Sequence, residues 1–438
     1  MGNLIKSIRL FYQNNTSPQF RTKVSVVREK INRLLFDKQL IKRQFKKNQE
    51  LAAKLRGKEK VRVVFLAQIP SIWKFDELYS LMEKDDHFEP MVLVCPLLQH
   101  GEDIQEYYMQ LTYDELSKKG YKVYSAYKDK EKTLLNLQTE LAPDIVFHTR
   151  PYKSLIPDEY YVTNLTEVLN CSVPYGMMLA SDKVYFDSLF YNLLWLYFAD
   201  TVVCKQTMDD IQYLKGRNVF MTGYSGCDQL FSKTYKPTDP WKIQDRKLKR
   251  IIWAPHHTIE HGHSNFKIYY QYFLDLSKKY SDRLQLAFKP HPLLKEHLYR
   301  DKDWGKERTD AYYAGWDQQE NTQLVEGNYI DWFITSDAMI HDSESFVGEY
   351  LYTLKPCMYC FDERESIVSL CNEFGVKALR QYYKSYSPSD IEMFLEKVVF
   401  GGEDTMYESR KKFFDEYLCP PFTGNASLNI LNKIKEFL

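Results

Sequence analysis

The strongest constraint on the fold is an alternation that begins near residue 60. Short runs rich in β-branched and aromatic residues are separated by stretches with helical spacing. Lys60-Val61-Arg62-Val63-Val64-Phe65-Leu66-Ala67 is the first strand-like run, followed by a helical stretch over 74–83 and a strand at Met91-Val92-Leu93-Val94. A helix over 104–119 stops at Gly120, and Tyr121-Lys122-Val123-Tyr124 follows as a strand. The pattern continues with a helix near 131–140, a strand at 143–148, a unit headed by Val173-Pro174-Tyr175-Gly176, and strands at Val202-Val203-Cys204 and Val219-Phe220-Met221. After the loop Lys236-Pro237-Thr238-Asp239-Pro240 a second series starts. Strand runs are expected at 250–254, 285–288 and 356–360, while Trp332-Phe333-Ile334 and Ala338-Met339-Ile340 flank a short turn. Strands alternating with helices predict parallel sheets covered on both faces. Two such series predict two doubly wound halves, with ligands in the cleft outside the carboxyl ends of the strands.

Composition agrees with a globular enzyme-sized chain of 438 residues. Apolar residues are 44% and charged residues 27%, which excludes a disordered chain, and 15% aromatics supply large cores. Lys+Arg and Asp+Glu are 59 each, so a general nucleic-acid-coating role is not expected. Eight cysteines include one close pair, Cys357 and Cys360, with no second pair to complete a four-thiolate zinc site; reduced core thiols and a cytoplasmic location are expected. The first fifteen residues lack the apolar stretch of a signal peptide, and Lys6 stands where a myristoylation motif wants Ser or Thr. The run from Leu189 to Cys204 is short of the ~20 apolar residues of a membrane span.

Charge is unevenly placed. Residues 1–60 hold sixteen Lys and Arg against four Asp and Glu, a local charge of +12, so the remainder carries −12. Apolar residues recur there at helical intervals: Val27, Ile31, Leu34, Leu35, Leu40, Ile41 and Phe45. A basic amphipathic helix of this kind suits an anionic membrane surface, a partner, or packing on the protein itself.

Four segments stand at strand ends. In Trp253-Ala254-Pro255-His256-His257-Thr258-Ile259-Glu260-His261-Gly262-His263, four of the ten histidines fall within eight residues. Pro255 and Gly262 break any helix, so the paired helical histidines of a metalloprotease are absent and a loop contacting an anionic ligand is preferred to a metal site. In Phe288-Lys289-Pro290-His291-Pro292, two prolines fix the backbone around His291, which suits a hydrogen-bond donor to a phosphate or leaving oxygen. The segment from Ser336 to Glu349 reads as a strand followed by a helix start whose free N–H groups, with Asp342, Ser343 and Ser345, suit pyrophosphate oxygens. Glu349, one turn on from Ser345, could accept from a ribose or polyol hydroxyl. Phe220-Met221-Thr222-Gly223-Tyr224-Ser225-Gly226-Cys227-Asp228 reads first as a glycine-permitted turn. Ordinary caps and turns remain open for each of these segments.

The order and spacing of these segments, over roughly residues 170–438, resemble the CDP-glycerol glycerophosphotransferase family of teichoic-acid primases and polymerases. Thr222-Gly223-Tyr224 and Asp228 match a Thr-Gly-Tyr-Pro-Arg-x-Asp-like turn, with Ser225 and Gly226 in place of Pro-Arg. Trp253-Ala254-Pro255 resembles Tyr-Ala-Pro, His291-Pro292 the His-Pro motif, and Asp342, Ser345, Glu349 and Lys355-Pro356 the later series. Gly424-Asn425-Ala426-Ser427 resembles a late Gly-x-Ala-Ser element. Two positions depart from the family. Tyr175-Gly176 stands where the family carries a His-Gly pair, and His256-His257 replaces a stretch that includes an arginine.

The resemblance implies a GT-B fold: a basic helical extension (1–60), a Rossmann-like acceptor domain (61–235), a Rossmann-like donor domain (236–410) and a C-terminal helix (411–438). It implies transfer of glycerol phosphate, or ribitol phosphate, from CDP-glycerol or CDP-ribitol to a glycan or lipid-linked glycan in teichoic-acid or capsule synthesis. His291 would then bind or protonate the leaving phosphate, and Asp342, Ser343, Ser345, Glu349, Gly223 and Pro255 would serve the donor. Tyr175 and Gly176 would lie on the acceptor side, with His256 or His257 as substitute base. No protein-bound metal is assigned, although Mg2+ is compatible with the chemistry. The extension would place the enzyme peripherally on the inner face of a membrane. A glycosyltransferase using a nucleotide sugar, and an inactive scaffold that binds a partner, are the competing readings.

Overall fold

The structure, a computed structural model, describes residues 36–438 apart from 182, 233–234, 245–246, 260–263, 363–364 and 423. Residues 1–35 of the basic segment, and Glu260 to His263 of the histidine-rich loop, therefore lie outside the described residues.

Thirteen described strands form two wholly parallel sheets. The first has the order β3-β2-β1-β4-β5-β6-β7, built from β1 (Val61–Ala67), β2 (Phe88–Val94), β3 (Val123–Ser125), β4 (Ile145–His148), β5 (Leu169–Ser172), β6 (Leu196–Ala199) and β7 (Val219–Met221). The second has the order β10-β9-β8-β11-β12-β13, built from β8 (Lys249–Ala254), β9 (Leu284–Phe288), β10 (Thr322–Leu324), β11 (Ala338–His341), β12 (Cys357–Cys360) and β13 (Tyr383–Ser385). In each sheet the strand order reverses beside the first strand of the series, the arrangement that opens a crevice at the carboxyl ends.

Side chains explain why these runs are strands covered on both faces. In β8, Ile251 and Trp253 enter one apolar cluster while Ile252 and Ala254 enter the other. In β12, Met358 and Cys360 face the first cluster, and Cys357 and Tyr359 the second. This two-residue alternation is that of a strand buried on both sides. Trp253 stacks on Phe273 and Phe288 at ring distances of 4.3 and 5.0 Å, so aromatics fill the gap between sheet and helix.

Three expectations change. Val202-Val203-Cys204 opens a helix, Val202–Ile211, because Thr201 Oγ1 accepts the Cys204 N–H at 3.1 Å and caps it; the strand is the preceding run Leu196–Ala199. The helix near 131–140 is a single wide turn over Leu137–Leu141. Trp332-Phe333-Ile334 lies inside a helix, Ile330–Thr335. By contrast the helix Glu102–Lys118 ends as expected, with Gly120 at φ +84°.

The basic helix α1 (Lys38–Leu55) lies on the first half. Ile41, Gln44, Asn48, Ala52 and Leu55 are buried, and Gln44 and Asn48 donate to the carbonyls of Thr166 and Leu193. Phe45 sits under Arg217, 4.5 Å from its ring centre. Leu40, Ile41 and Phe45 thus pack on the protein itself, while Val27, Ile31, Leu34 and Leu35 lie outside the described residues. No described helix is long and apolar enough to cross a membrane. The last helix, α2 (Ala426–Phe437), leaves the second half and returns to the first, where Ile430, Leu431 and Ile434 join its core.

Candidate active site

In the second half, β9, β8 and β11 are neighbours, so the loops after them emerge side by side. The loop after β8 carries Pro255, His256 and His257; the loop after β9 carries Lys289 to Pro292; the loop after β11 carries Asp342 to Ser345. In the first half, β1, β4 and β5 are neighbours and present Ile69 to Lys74, Thr149 to Tyr152, and Val173 to Gly176. A cleft of about 480 Å³ lies between the halves, walled by Ile69, Pro70, Tyr107 and Tyr108 on one side and Lys289, His291, Lys295 and Glu326 on the other.

His291 is held at three points. Its N–H donates to the Pro255 carbonyl at 3.1 Å, its Nδ1 accepts the Leu293 N–H at 3.1 Å, and prolines flank it. His257 stacks on it with ring centres 4.1 Å apart, and His256 lies 5.4 Å away. Burial pushes His291 well below the usual histidine range and His257 down to about 4, so both rings are neutral near pH 7.

His256, His257 and His291 bring ring nitrogens within 4.8 Å of one another, a spacing of the size that surrounds a divalent cation. Their hydrogen bonds argue for another chemistry. The Leu293 N–H donates to Nδ1 of His291, and the Thr258 N–H and hydroxyl both lie against Nδ1 of His256, at 3.4 and 2.8 Å. In a neutral ring this places the proton on Nε2, so both histidines present N–H donors rather than lone pairs. Only the His257 Nδ1 is a buried ring nitrogen of this trio without a partner. Mg2+ takes oxygen ligands, which these imidazoles do not offer.

Lys289 completes the donor set. It is 4% exposed, lines the cleft and has no carboxylate within 4 Å among the described residues, Glu326 and Glu349 acting on it from further away; burial pushes it down to about 8, which keeps it mostly protonated at neutral pH. Its Nζ lies 5.7 and 5.9 Å from the rings of Tyr329 and Phe346. A buried cation beside the His291 N–H donor suits a diphosphate.

Two other expected donor residues, Asp342 and Glu349, have their carboxylates engaged within the protein. Asp342 is 4% exposed; Oδ1 accepts the His256 N–H at 2.6 Å and Oδ2 the Asn265 N–H at 2.5 Å. Asp342 therefore holds the histidine loop rather than a ligand. Glu349 is 2% exposed, accepts from Tyr224 Oη at 2.5 Å and from Tyr329 Oη, and pairs with Lys74 of the first half at 3.9 Å. It joins the halves, and both oxygens are occupied. The helix after Ser345 is one turn, Phe346–Glu349; the Phe346 and Val347 N–H groups donate to the carbonyls of Ser343 and Glu344, so those two donors are used. Ser343 is buried, and Ser345 is exposed without capping.

Gly223 has φ +94°, and a Cβ there would meet Pro420 at 3.1 Å and Ala426 at 3.4 Å, so its glycine serves a turn and a close approach. Asp228 accepts the Ala426 and Ser427 N–H groups at 2.8 and 2.7 Å. The early turn motif and the late Gly-Asn-Ala-Ser element are therefore one joint that fastens α2. Lys355 donates to the carbonyls of Phe333, Ile334 and Ser336 and closes the helix Ile330–Thr335.

On the opposite wall, Tyr175 is hydrogen-bonded to Tyr152 through the two hydroxyls at 2.9 Å. Burial raises its phenol above the ordinary tyrosine range, so it is no base near neutrality. Gly176 begins a stretch that crosses to the second half: Ser181 N–H donates to Leu370 O at 2.9 Å, and Asn372 N–H to Leu179 O at 2.6 Å. Arg150, which the sequence reading missed, lies 5.7 Å from the Tyr175 ring centre.

Two facing parallel-sheet halves with a cleft at their carboxyl ends define an α/β protein of the two-domain, GT-B-like type. No protein-family model and no curated protein matches the chain. Among solved structures, the wall teichoic acid polymerase TagF (H444N variant) is similar at a TM-score of 0.56 and 14% identity, covering 94% of this chain and 97% of that one. UDP-GlcNAc 2-epimerase from Neisseria meningitidis bound to UDP-GlcNAc is similar at 0.54 and 17%, covering 86% and 100%. The S. aureus MnaA-UDP co-structure is similar at 0.50 and 18%, covering 86% and 96%.

Proposed function

We propose that the protein is a transferase that moves glycerol phosphate, or ribitol phosphate, from its CDP-activated form onto a glycan hydroxyl during synthesis of a cell-surface polymer. The observation that carries this reading is the Lys289–His291 pair: a buried cation with no carboxylate within 4 Å among the described residues, beside a neutral, backbone-locked imidazole, both lining the cleft. The acceptor hydroxyl oxygen forms a bond to the β-phosphorus and its proton passes to solvent, the bond from that phosphorus to the bridging oxygen breaks, and CMP leaves with that oxygen and its electron pair. The His291 Nε2–H hydrogen-bonds the departing oxygen, and Lys289 offsets charge on the phosphates. Transfer of this kind depends on positioning and charge stabilisation more than on a strong base. His257, at about 4, is a weak one, so His256 and His257 serve here as neighbours that order His291. In this reading the second half binds the donor and the first half the acceptor.

The UDP-GlcNAc epimerase likeness supports a second reading, an enzyme acting on a nucleotide sugar in the same cleft. An inactive scaffold is the third. Melting temperature measured with CDP-glycerol, CDP-ribitol, CMP, UDP-GlcNAc and UDP separates them, because a ligand that binds only the folded state raises it. Stabilisation by the CDP-alditols, with CMP released once a glycan acceptor is added, is the expected result. Stabilisation by UDP compounds alone overturns the CDP-alditol reading, and none by any nucleotide favours the scaffold.

A further inference from the structure

Arg150 stands just past the carboxyl end of β4, on the first-half wall. Its guanidinium is largely buried, and no carboxylate lies within 4 Å of it among the described residues. Its Nε is buried and makes no hydrogen bond. The Tyr175 ring lies 5.7 Å away, with the phenols of Tyr152 and Tyr108 nearby and Glu344 close enough to Tyr175 to act on its phenol. Tyr108 also lines the cleft that holds Lys289 and His291.

A buried guanidinium normally has an acidic partner, since removing it from water without one is costly. The other well-buried arginines here have one: Arg250 pairs with Asp239 at 2.9 Å and Arg410 with Asp404. Arg150 is the exception, and its neighbour Tyr108 lines the cleft. Its planar fork matches the oxygens of a phosphate in a way a lysine does not. The joined hydroxyls of Tyr152 and Tyr175 share one bond between them, which leaves one hydroxyl proton free to donate to the same anion.

We propose that Arg150, with Tyr152 and Tyr175, forms a second anion subsite that binds a phosphate group, separate from the site of Lys289 and His291. The subsite does not rest on the transferase reading. The donor's phosphates belong to Lys289 and His291 across the cleft.

Calorimetric titration of the full chain with inorganic phosphate tests this, with the donor site saturated by CDP or UDP. The wild type is expected to bind phosphate alongside the nucleotide. Arg150→Gln should weaken that binding about tenfold or more, with nucleotide affinity within about twofold, and Arg150→Lys should restore part of it. Lys289→Gln should show the opposite pattern. Absence of phosphate binding in the nucleotide-saturated wild type overturns the proposal. So does an Arg150→Gln loss of nucleotide affinity equal to that of Lys289→Gln, which would put Arg150 on the donor. If no nucleotide binds, the transferase reading fails, and titration of the nucleotide-free protein still decides the subsite: phosphate binding lost in Arg150→Gln but kept in Lys289→Gln upholds it. Should Arg150→Gln lose its native melting transition, wild-type protein is treated with an arginine-selective dicarbonyl, and modification at residue 150 is read by peptide mass. Protection by phosphate upholds the subsite, and equal modification with and without it overturns it.

Discussion

The joint between the halves and the cleft between them are both built from buried polar residues, yet they differ in how those groups end up. At the joint, Glu349 accepts from two tyrosines and faces Lys74, while Asp228 accepts two backbone N–H groups at the start of α2. At and beside the cleft, Lys289 and Arg150 have no carboxylate within 4 Å among the described residues, and the His257 Nδ1 has no hydrogen-bond partner there. A buried polar group that is fully satisfied holds structure, whereas one left unsatisfied at a strand end marks where a ligand completes the bonding. The comparison turns motif residues such as Asp228 and Glu349 into fastenings and brings forward Lys289 and Arg150.

The largest effect that sharpens this contrast is expected at Glu349. Glu349→Ala strands Lys74 and two phenols in the interior and should cost about 3–5 kcal/mol by denaturant unfolding. Lys289→Met should change stability by no more than about 1 kcal/mol in either direction, because no partner is orphaned. Equal losses from the two would break the contrast.

His291→Ala should lower donor turnover about 100- to 1,000-fold, some 3–4 kcal/mol, as when one preorganised donor to developing charge is removed. Its melting temperature should stay within a degree or two of wild type. Full turnover in this variant would remove His291 from the chemistry.

A smaller, pH-dependent effect belongs to Asp228, which burial pushes up to about 7 against an ordinary 3.8. Between about pH 4 and 7 the folded state then holds more protons than the unfolded state, so this group's contribution to stability falls as pH rises through that window, by up to about 1.4 kcal/mol per pH unit. Asp228→Asn lacks the proton, so the advantage of wild type over it should shrink from pH 5 to pH 7. A difference that stays constant, or grows, would show that the two N–H bonds outweigh burial.

The smallest effect is expected at Ser345, which is exposed and caps nothing. Ser345→Ala should leave stability within about 0.5 kcal/mol and nucleotide affinity unchanged. A clear loss of nucleotide affinity would return the pyrophosphate to the loop after β11.

Much of the scaffold was legible because its signals are local. Val61 to Ala67 and Arg250 to Ala254 are apolar runs of strand length, and Gly120 stops a helix by its own backbone freedom. The error at Val202 to Cys204 has a local cause too: a β-branched run looks like a strand until Thr201 is recognised as its cap. The site was half legible. His291 stood out between two prolines, and the structure brings it together with His256 and His257. Asp342 and Glu349 have the right chemistry at the right spacing, but their carboxylates are taken by Asn265, Tyr224 and Tyr329 from distant parts of the chain.

By itself, then, the sequence determined the elements, the two-sheet organisation and the rigid placement of His291, because periodicity, caps and prolines act over a few residues. Only the tertiary structure decided which buried charges find a partner and which do not. Pairing depends on groups brought together across the fold, and a free guanidinium at Arg150 is indistinguishable in sequence from a paired one at Arg250.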